Sequence, residues 1–294
     1  MDRMGFIGGS DAPIILGLSP WKSPYQLWLE KTGQEEPEDI SDLDYVHFGV
    51  VLEDVVAREW ALRHNRKVRR MNNRAVHPKH DFILAQIDRR IVGGGILECK
   101  TTGAHNGDDW LSGPPAHYWV QVQHQMMTAE IDNAAIAVLI GGQRYADFEI
   151  SADKKFQADL LDLELDFWDK VQRGVPPDPV STDEARRVWQ RYTPSEVYAT
   201  EDDIKNLKEL VEVQAKIKEL EKKEEELKLE LMNALKDIGD TLIVNNIPVI
   251  SWKSQQRTSI DTKALKEKYP DIAKELMVIS ESRTFRVLKG AENI

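Results

Sequence analysis

Apolar and polar positions divide the chain into a front part of mixed helices and strands and a highly charged rear part. In the front part, apolar residues at helical spacing predict helices over 23–31, 48–64, 116–131 and 154–173. Short apolar runs predict strands over 82–87, 96–100, 136–140 and 148–150. The first two runs are joined by residues 89–95, which include the glycines Gly93 to Gly95, so they predict a hairpin. The front part is therefore expected to have an α/β fold.

The rear part begins with one long periodic segment, residues 204–238, which Glu224 alone interrupts and Gly239 ends. Its apolar positions follow a 3-4 spacing at Leu210, Val213, Ile217, Leu220, Leu227, Leu231, Ala234 and Ile238. A narrow apolar stripe between dense charges predicts a coiled coil or a long helical hairpin. The rest of the rear part predicts a β-hairpin over 242–252 turning at Asn245-Asn246, a short helix over 262–269 and a strand over 284–288.

A proline cluster marks the boundary between the two parts. Pro176, Pro177 and Pro179 follow Gly174 and end the last front helix. The predicted organisation is an α/β domain over 1–175, a linker over 176–200, and a coiled-coil helix with a small α+β module over 201–294. The partner of the long helix is either another subunit or the segment 183–200, where Val188, Trp189 and Tyr192 supply apolar surface.

Composition excludes several classes of protein. No apolar run among the 294 residues approaches the roughly 18 residues of a membrane helix, and the start lacks the regions of a signal peptide. The single cysteine, Cys99, excludes an internal disulfide framework and fits a reducing cytoplasm. The histidines lack the paired spacing of a structural zinc site.

The net charge of −11 at first argues against nucleic-acid binding. A metal site supplies carboxylates of its own, however, so DNA binding would need only a local basic patch. Candidate patches are Arg58, Arg63, Arg66, Lys67, Arg69 and Arg70, the pair Arg89-Arg90, and in the rear part Lys253, Arg257, Lys263, Lys266 and Lys268. The alternative for each is an ordinary solvated surface.

The strongest chemical signal is Asp88, followed after the glycine turn by Glu98 and Lys100. Side chains alternate between the faces of a strand, so Glu98 and Lys100 share one face and Cys99 points to the other. Two carboxylates with backbone oxygens suit Mg²⁺ or Mn²⁺. A nearby lysine can orient water and offset phosphate charge. The alternative is a surface ion pair on a strand.

Ile87-Asp88 and Glu98-Cys99-Lys100 resemble the motif of the PD-(D/E)XK nuclease superfamily, with Ile87 in the place of the proline. The further motifs are Arg3-Met-Gly-Phe-Ile-Gly-Gly-Ser-Asp-Ala12, Leu18-Ser-Pro-Trp-Lys-Ser-Pro-Tyr-Gln-Leu-Trp-Leu-Glu-Lys-Thr-Gly33, His47-Phe-Gly-Val-Val-Leu-Glu53 and Tyr118-Trp-Val-Gln-Val-Gln-His-Gln125. In this order they resemble the YqaJ-type viral recombinase family, relatives of phage lambda exonuclease, over residues 3–175. The resemblance implies a restriction-endonuclease-like core, in which a mixed central sheet is flanked by helices.

The resemblance also implies roles for single residues. Asp88, Glu98 and the backbone carbonyl of Cys99 are expected to hold Mg²⁺ or Mn²⁺, with two ions in the site, and Lys100 to lie beside the attacking water. Glu53 would contact a metal directly or through water; its alternative is an exposed helical glutamate. Gln121 and Tyr118 lie one helical turn apart and would help to build the wall of the active site. Their alternative is helix packing.

Arg3 and Ser10 match the lambda-type residues that hold the 5′-phosphate of the DNA end. Their donors suit phosphate oxygens. The alternatives are a mobile Arg3 and a Ser10 that caps the helix starting near Ala12. Two departures from the family put strict 5′ polarity in doubt: Gln86 replaces a small residue, and His105-Asn106 replaces an arginine.

By resemblance, the expected activity is 5′-to-3′ exonuclease digestion of double-stranded DNA ends, which yields 3′ single strands for recombination. The expected partners are a phage single-strand annealing protein and further copies of the chain, in a ring-shaped trimer, within a bacterial cytoplasm and encoded by a phage or prophage. Two alternatives remain: an endonuclease of the same fold, or a nucleic-acid- or partner-binding scaffold with a vestigial site.

Overall fold

The computed structural model describes residues 4–190, 195–256, 258–259, 261–277, 284–288 and 291. Three residues discussed above, Arg3, Tyr192 and Arg257, lie outside this set. The chain forms two compact units, residues 1–188 and 189–294. Among the described residues, no helix is both long and apolar enough to cross a membrane.

The front unit is built on a five-stranded sheet with the order β1-β4-β5-β6-β7. Its strands are β1 Val68–Arg70, β4 Arg89–Ile91, β5 Ile96–Thr102, β6 Asn133–Ile140 and β7 Arg144–Ser151. β5 and β6 are parallel, and the other neighbouring pairs are antiparallel. The sheet is therefore mixed. Two short strands, β2 Ala75–Val76 and β3 Leu84–Ala85, form a separate antiparallel pair.

Helices cover both faces of the sheet, as the mixed α/β prediction requires. The helices of this unit are α1 Ala12–Ile15, α2 Pro24–Lys31, α3 Asp44–Arg63, α4 Ala116–Thr128, α5 Lys154–Arg173 and α6 Thr182–Val188, with a 3-10 helix at Ala104–Trp110. The prediction for 154–173 is confirmed to the residue. Gly174 ends α5 in the left-handed conformation, at φ 65°, which glycine adopts without strain.

The alternation of side chains along β5 and β6 explains how α3 and α4 pack against opposite faces of one sheet. Leu97 and Ala135 pack with α3 residues such as Trp60 in one apolar cluster. Ile96 and Ile136, one position away on each strand, pack with the α4 residues Val122 and Met126 in another. Successive side chains of a strand point to opposite faces. The α4 face of β5 is thus the face on which Glu98 and Lys100 must lie.

The predicted hairpin forms with a different first strand. Arg89 pairs with Leu97 and Arg90 with Ile96, so β4 and not the segment 82–87 lies beside β5. Within 82–87, Ile83, Ala85 and Ile87 are buried, and β3 pairs with β2. The apolar pattern reflects burial outside the main sheet, and Asp88 lies just before the hairpin strand.

The predicted linker contains the short helix α6, which belongs to the front unit. Arg187 of α6 forms an ion pair with Glu35. Val188 packs against the cluster that includes Tyr25 and Trp28 of α2. The apolar surface of Val188 is thus used within the front unit.

The second unit contains α7 Glu201–Leu235, the hairpin of β8 Thr241–Val244 and β9 Ile247–Ser251, and the helices α8 Thr262–Lys268 and α9 Pro270–Glu275. The hairpin prediction is confirmed: Asn245 and Asn246 both have positive φ, at 50° and 66°, as a type I′ turn requires. The predicted strand at 284–288 is wrong. The segment has no regular structure, and in the described part of this unit β8 pairs with β9 alone.

Candidate active site

A polar cluster lies between β5 and α4. Lys100 Nζ donates to Glu98 Oε1 at 2.6 Å and to Gln121 Oε1 at 3.1 Å. Gln121 Nε2 in turn donates to Glu98 Oε1 at 2.7 Å, which closes a triangle of three side chains. Burial opposes the charged form of Lys100, but the adjacent Glu98 carboxylate outweighs this effect and raises the pKa of Lys100. Lys100 is therefore cationic at neutral pH.

Gln125 completes this cluster, and the sequence analysis did not single it out. Its Nε2 donates to Glu98 Oε2 at 2.7 Å and to the Gln86 carbonyl at 2.9 Å. Gln121 and Gln125 are four residues apart on α4, so one helix face directs both amides at Glu98. Gln121 and Gln125 form an i, i+4 glutamine pair on α4, which faces the side of β5 that carries Glu98. This spacing is the sequence signal that could have identified Gln125.

Asp88 reaches the same region from the entry to β4. Its Oδ2 accepts from the Cys99 backbone N–H at 2.8 Å. The N–H and C=O of one strand residue point to the same side, so the Cys99 carbonyl also faces the Asp88 side. Burial, and then the charge of Glu98, raises the pKa of Asp88 to about 8. Asp88 and Glu98 thus form an acidic pair whose charges oppose each other.

The Cys99 side chain faces away from this site, as the strand alternation predicted, and packs with the α3 cluster. Burial, and then the charges of Asp88 and Glu98, raises the pKa of the Cys99 thiol well above its usual range. The thiol therefore stays protonated and is not a nucleophile.

Glu53 lies on α3, and its charge adds to the effects of burial and of Glu98 that raise the pKa of Asp88. Its carboxylate is ion-paired with Arg89, which also donates to Asp54 Oδ1 at 3.3 Å and to the Asp88 carbonyl at 2.8 Å. Arg89 is 4 % exposed. Arg89 is therefore not part of a solvated surface, and its guanidinium neutralises the carboxylates of α3. A DNA contact of the pair Arg89-Arg90 stays a prediction.

Tyr118 lies beside the polar cluster. Lys100 Nζ lies 4.8 Å from the centre of its ring, within cation–π range. Trp110 stacks on Tyr118 from the core side, with 5.4 Å between ring centroids. Burial raises the pKa of the Tyr118 hydroxyl. The packing expected of Tyr118 is present, and its role as a wall of the active site stays a prediction.

A small cavity of about 100 Å³ adjoins the polar cluster. Its lining residues are Phe6, Gly8, Gly9, Ser10, Arg74, Leu84, Gln86, Gln121 and Gln125. Ser10 is exposed here and does not cap α1, whose N-cap is Asp11. Arg74, with its guanidinium carbon 4.5 Å from the centre of the Phe6 ring, is a cation that the sequence analysis did not assign. His105 and Asn106 are exposed on the 3-10 helix and do not line this cavity.

The chemistry of the donors fits a hard divalent cation. In the described part of the chain, no three His, Cys, Asp or Glu side chains converge as a ready-made cage. Mg²⁺ does not need one, because it commonly binds one or two carboxylates together with water and substrate phosphate. Asp88, Glu98 and the Cys99 carbonyl supply such a set, and the raised pKa of Asp88 shows an acidic pair that a cation would relieve.

The fold and the sequence both match known proteins. The front unit has a mixed α/β fold that is similar to an alkaline exonuclease (LHK-Exo) from Laribacter hongkongensis, with a TM-score of 0.52 and 16% identity. That match covers 59% of this chain and 91% of the other. The structure of LHK-Exo in complex with dAMP matches with a TM-score of 0.50 and 17% identity, over the same shares of the two chains.

The sequence matches give the family. The model of the YqaJ-like viral recombinase domain matches residues 1–132. The uncharacterized protein YqaJ of Bacillus subtilis (strain 168) is 37% identical over 297 residues, which cover 98% of this chain and 92% of that protein. The chain therefore belongs to the YqaJ-like viral recombinase family.

Proposed function

We propose that the chain is a metal-dependent deoxyribonuclease that hydrolyses phosphodiester bonds at the ends of double-stranded DNA. The observation that carries this proposal is the hydrogen-bonded triangle of Glu98, Lys100 and Gln121 beside the half-buried carboxyl of Asp88. A structural ion pair does not need a second, half-buried carboxyl at its side. Family membership supports the same conclusion.

The residues divide the work of hydrolysis. Asp88, Glu98 and the Cys99 carbonyl would hold Mg²⁺ or Mn²⁺, in a site of two ions, with Glu53 contributing directly or through water. When bound, the cations supply an activated water and stabilise charge on the phosphate and on the leaving oxygen. Lys100, fixed by Glu98 and Gln121, orients the water and offsets phosphate charge. Gln125 fixes the orientation of the Glu98 carboxylate.

Action from a DNA end is the second part of the proposal. The cavity lined by Ser10 and Arg74 shares Gln121 and Gln125 with the polar cluster, so a terminal phosphate there would lie next to the reacting bond. Ser10 offers a hydroxyl and Arg74 a guanidinium, both suited to phosphate oxygens. LHK-Exo, whose fold is similar, has been solved in complex with dAMP. Arg3, which lies outside the described residues, is the third residue that we propose for binding the terminal phosphate. Digestion would run 5′ to 3′ and leave 3′ single strands for an annealing protein.

An endonuclease of the same fold is the second candidate. It is favoured by the positions of Gln86 and of His105-Asn106, which replace the small residue and the arginine of the lambda-type phosphate pocket. Gln86 lines the cavity, whereas His105 and Asn106 lie outside it. If Arg74 does not replace the missing arginine of the phosphate pocket, the enzyme would cut DNA without requiring a free DNA end.

The test uses linear DNA with 5′-phosphate or 5′-hydroxyl ends and a closed circular DNA, each with Mg²⁺ or with EDTA. We expect linear DNA with 5′-phosphate to be degraded fastest, the circle to persist and EDTA to stop the reaction. Lys100→Ala and Glu98→Gln should abolish cleavage. Lys154→Ala removes an exposed lysine that is ion-paired with Asp132, and it should not change the rate of cleavage. Cutting of the circle would favour the endonuclease, and an active Lys100→Ala would refute the assigned site.

A further inference from the structure

Trp21 lies at the outer end of a row of aromatic rings that leads to Lys100. Its side chain is 70% exposed, although tryptophan is usually largely buried. The Trp21 ring centroid is 4.9 Å from that of His117 and 6.5 Å from that of Tyr118. His117 and Tyr118 are in turn 4.1 Å apart. We call Trp21, His117, Tyr118 and Trp110 the aromatic row.

The inner end of the aromatic row is rigid. Trp110 is 4 % exposed and stacks on Tyr118 and also on Phe148 of β7. Tyr118 lies under Lys100. The ring of Tyr118 is thus near both the exposed indole of Trp21 and the cation of the polar cluster.

The loop that carries Trp21 is fixed at both ends. Gly17 has a φ of 68° and ends α1 with a hydrogen bond from its N–H to the Ile14 carbonyl at 2.9 Å. Ser23 begins α2 with a capping box that it forms with Gln26. A short loop between two capped helix ends keeps Trp21 in place before any ligand binds, which lowers the entropic cost of binding.

The chemistry of the aromatic row fits a nucleobase. Burial, and then the charge of Lys100, lowers the pKa of His117, so the row is uncharged at neutral pH, and the Lys100 cation lies at its inner end. A nucleotide has the same order of groups, with a flat uncharged base joined to an anionic phosphate. Stacking of a base on an aromatic side chain tolerates every base, because each has a π face.

We propose that Trp21 stacks on a nucleobase of the DNA strand whose phosphate lies at Lys100, and so positions the end of that strand. This inference rests on the proposed nuclease function. Trp21 is a positioning residue: it holds the nucleotide next to the reacting bond without touching the reacting atoms. The contact is sequence-tolerant, as digestion from any DNA end requires.

The experiment measures the binding of the full-length protein in EDTA, by fluorescence anisotropy, to a short duplex with a few unpaired nucleotides at one end. Trp21→Leu should weaken binding about 5- to 100-fold, whereas Trp21→Phe should retain most of it. Leu62→Ala removes an apolar side chain that is 77% exposed near the end of α3. It is the matched control and should leave binding unchanged.

A second set of duplexes replaces each unpaired nucleotide in turn with an abasic one. At the stacked position, loss of the base should weaken wild-type binding by about the same factor as Trp21→Leu, and should have no further effect in that variant. The inference is wrong if the loss of affinity from the abasic nucleotide and the loss from Trp21→Leu multiply at every position. It is also wrong if Trp21→Leu binds the duplex as tightly as the wild type does. Cleavage of linear DNA by the wild type in Mg²⁺, run in parallel, tests the proposed function separately.

Discussion

Gln125 donates its side-chain amide to the Glu98 carboxylate, with 2.7 Å between Nε2 and Oε2. Because this bond fixes the orientation of a proposed metal-binding carboxylate, Gln125→Leu should lower activity or Mg²⁺ affinity about 10- to 100-fold. The measurement is cleavage rate as a function of Mg²⁺ concentration. Gln123→Leu is the matched control: Gln123 is also buried on α4, but it donates to the Ser151 carbonyl, and its loss should not shift the Mg²⁺ dependence.

Asp88→Asn should stabilise the metal-free protein more as the pH rises. The folded protein holds a proton on Asp88 up to pH about 8, whereas the unfolded chain releases it near pH 4. Between these values the folded state binds more protons, so this carboxyl lowers the free energy of unfolding as the pH increases. We expect the free energy of unfolding of the variant to be higher than that of the wild type by on the order of a few kcal/mol at about pH 8 in EDTA.

Urea unfolding of both proteins at about pH 5 and about pH 8 checks this sign. Asp162→Asn, at an exposed position of α5, is the control and should show no such trend. A stability difference for Asp88→Asn that is equal at the two pH values would contradict the assignment.

The buried pair of His124 and Glu164 has the opposite pH dependence. His124 Nδ1 lies 2.7 Å from Glu164 Oε1 and Nε2 lies 3.0 Å from the Leu84 carbonyl, so both ring nitrogens face acceptors, an arrangement that favours the cationic ring. Burial opposes this charge, but Glu164 outweighs it and raises the pKa of His124. The stabilisation is complete below about pH 6.5 and is lost as the pH rises through the pKa of the folded protein.

Glu164→Gln should therefore destabilise the protein by about 3–5 kcal/mol near pH 6, since it leaves a buried cation without its partner. The gap to the wild type should narrow at alkaline pH, and thermal unfolding across the pH range measures it. Glu149→Gln, at an exposed position of β7, should show neither effect. A gap that widens with pH would mean that His124 is neutral.

Arg89 and Arg90 are neighbours with different expected roles. Arg89→Leu should cost about 3–5 kcal/mol of stability, because Glu53 would lose its buried counter-charge. Arg90→Ala, at an exposed position, should change stability by less than about 0.5 kcal/mol. Urea unfolding compares the two. Equal, small effects on stability with a large loss of DNA binding for Arg89→Leu would favour the DNA-contact hypothesis.

The apolar stripe of α7 is exposed and is expected to need a partner helix. The exposed residues are Val213, Ile217, Leu220, Leu227 and Leu231. We propose that further copies of the chain supply the partner. Removal of residues 191–294 should therefore lower the number of subunits in the oligomer, which light scattering gives from the total mass. The cut lies after α6 because Arg187 and Val188 belong to the front unit. The same number of subunits in both proteins would leave α7 without this role.

The sequence allowed the prediction of those features that depend on local order. The positions of Glu98, Cys99 and Lys100 follow from the two-residue period of a strand, and the Asn245-Asn246 turn from the conformational preference of asparagine. The partners of Arg89 could not be predicted, because Glu53 and Asp54 are separated from it by 36 and 35 positions and meet it only in the folded protein. The segment before Asp88 does contain a strand, β3, but its partner is β2 and not β5. The pairing could not be predicted, because an apolar run shows that a segment is buried but not what it pairs with.

The triangle of the site comes from one continuous stretch of chain. Glu98 and Lys100 lie on β5 and Gln121 lies on α4, and Asp88 directly precedes β4, the first strand of the hairpin. Contacts between residues close in sequence form faster than distant ones, because less chain must be ordered to make them. The candidate site can therefore take shape on the ribosome before α7 and the rest of the second unit have been synthesised. Any assembly through α7 would then join subunits in which the polar cluster has already formed.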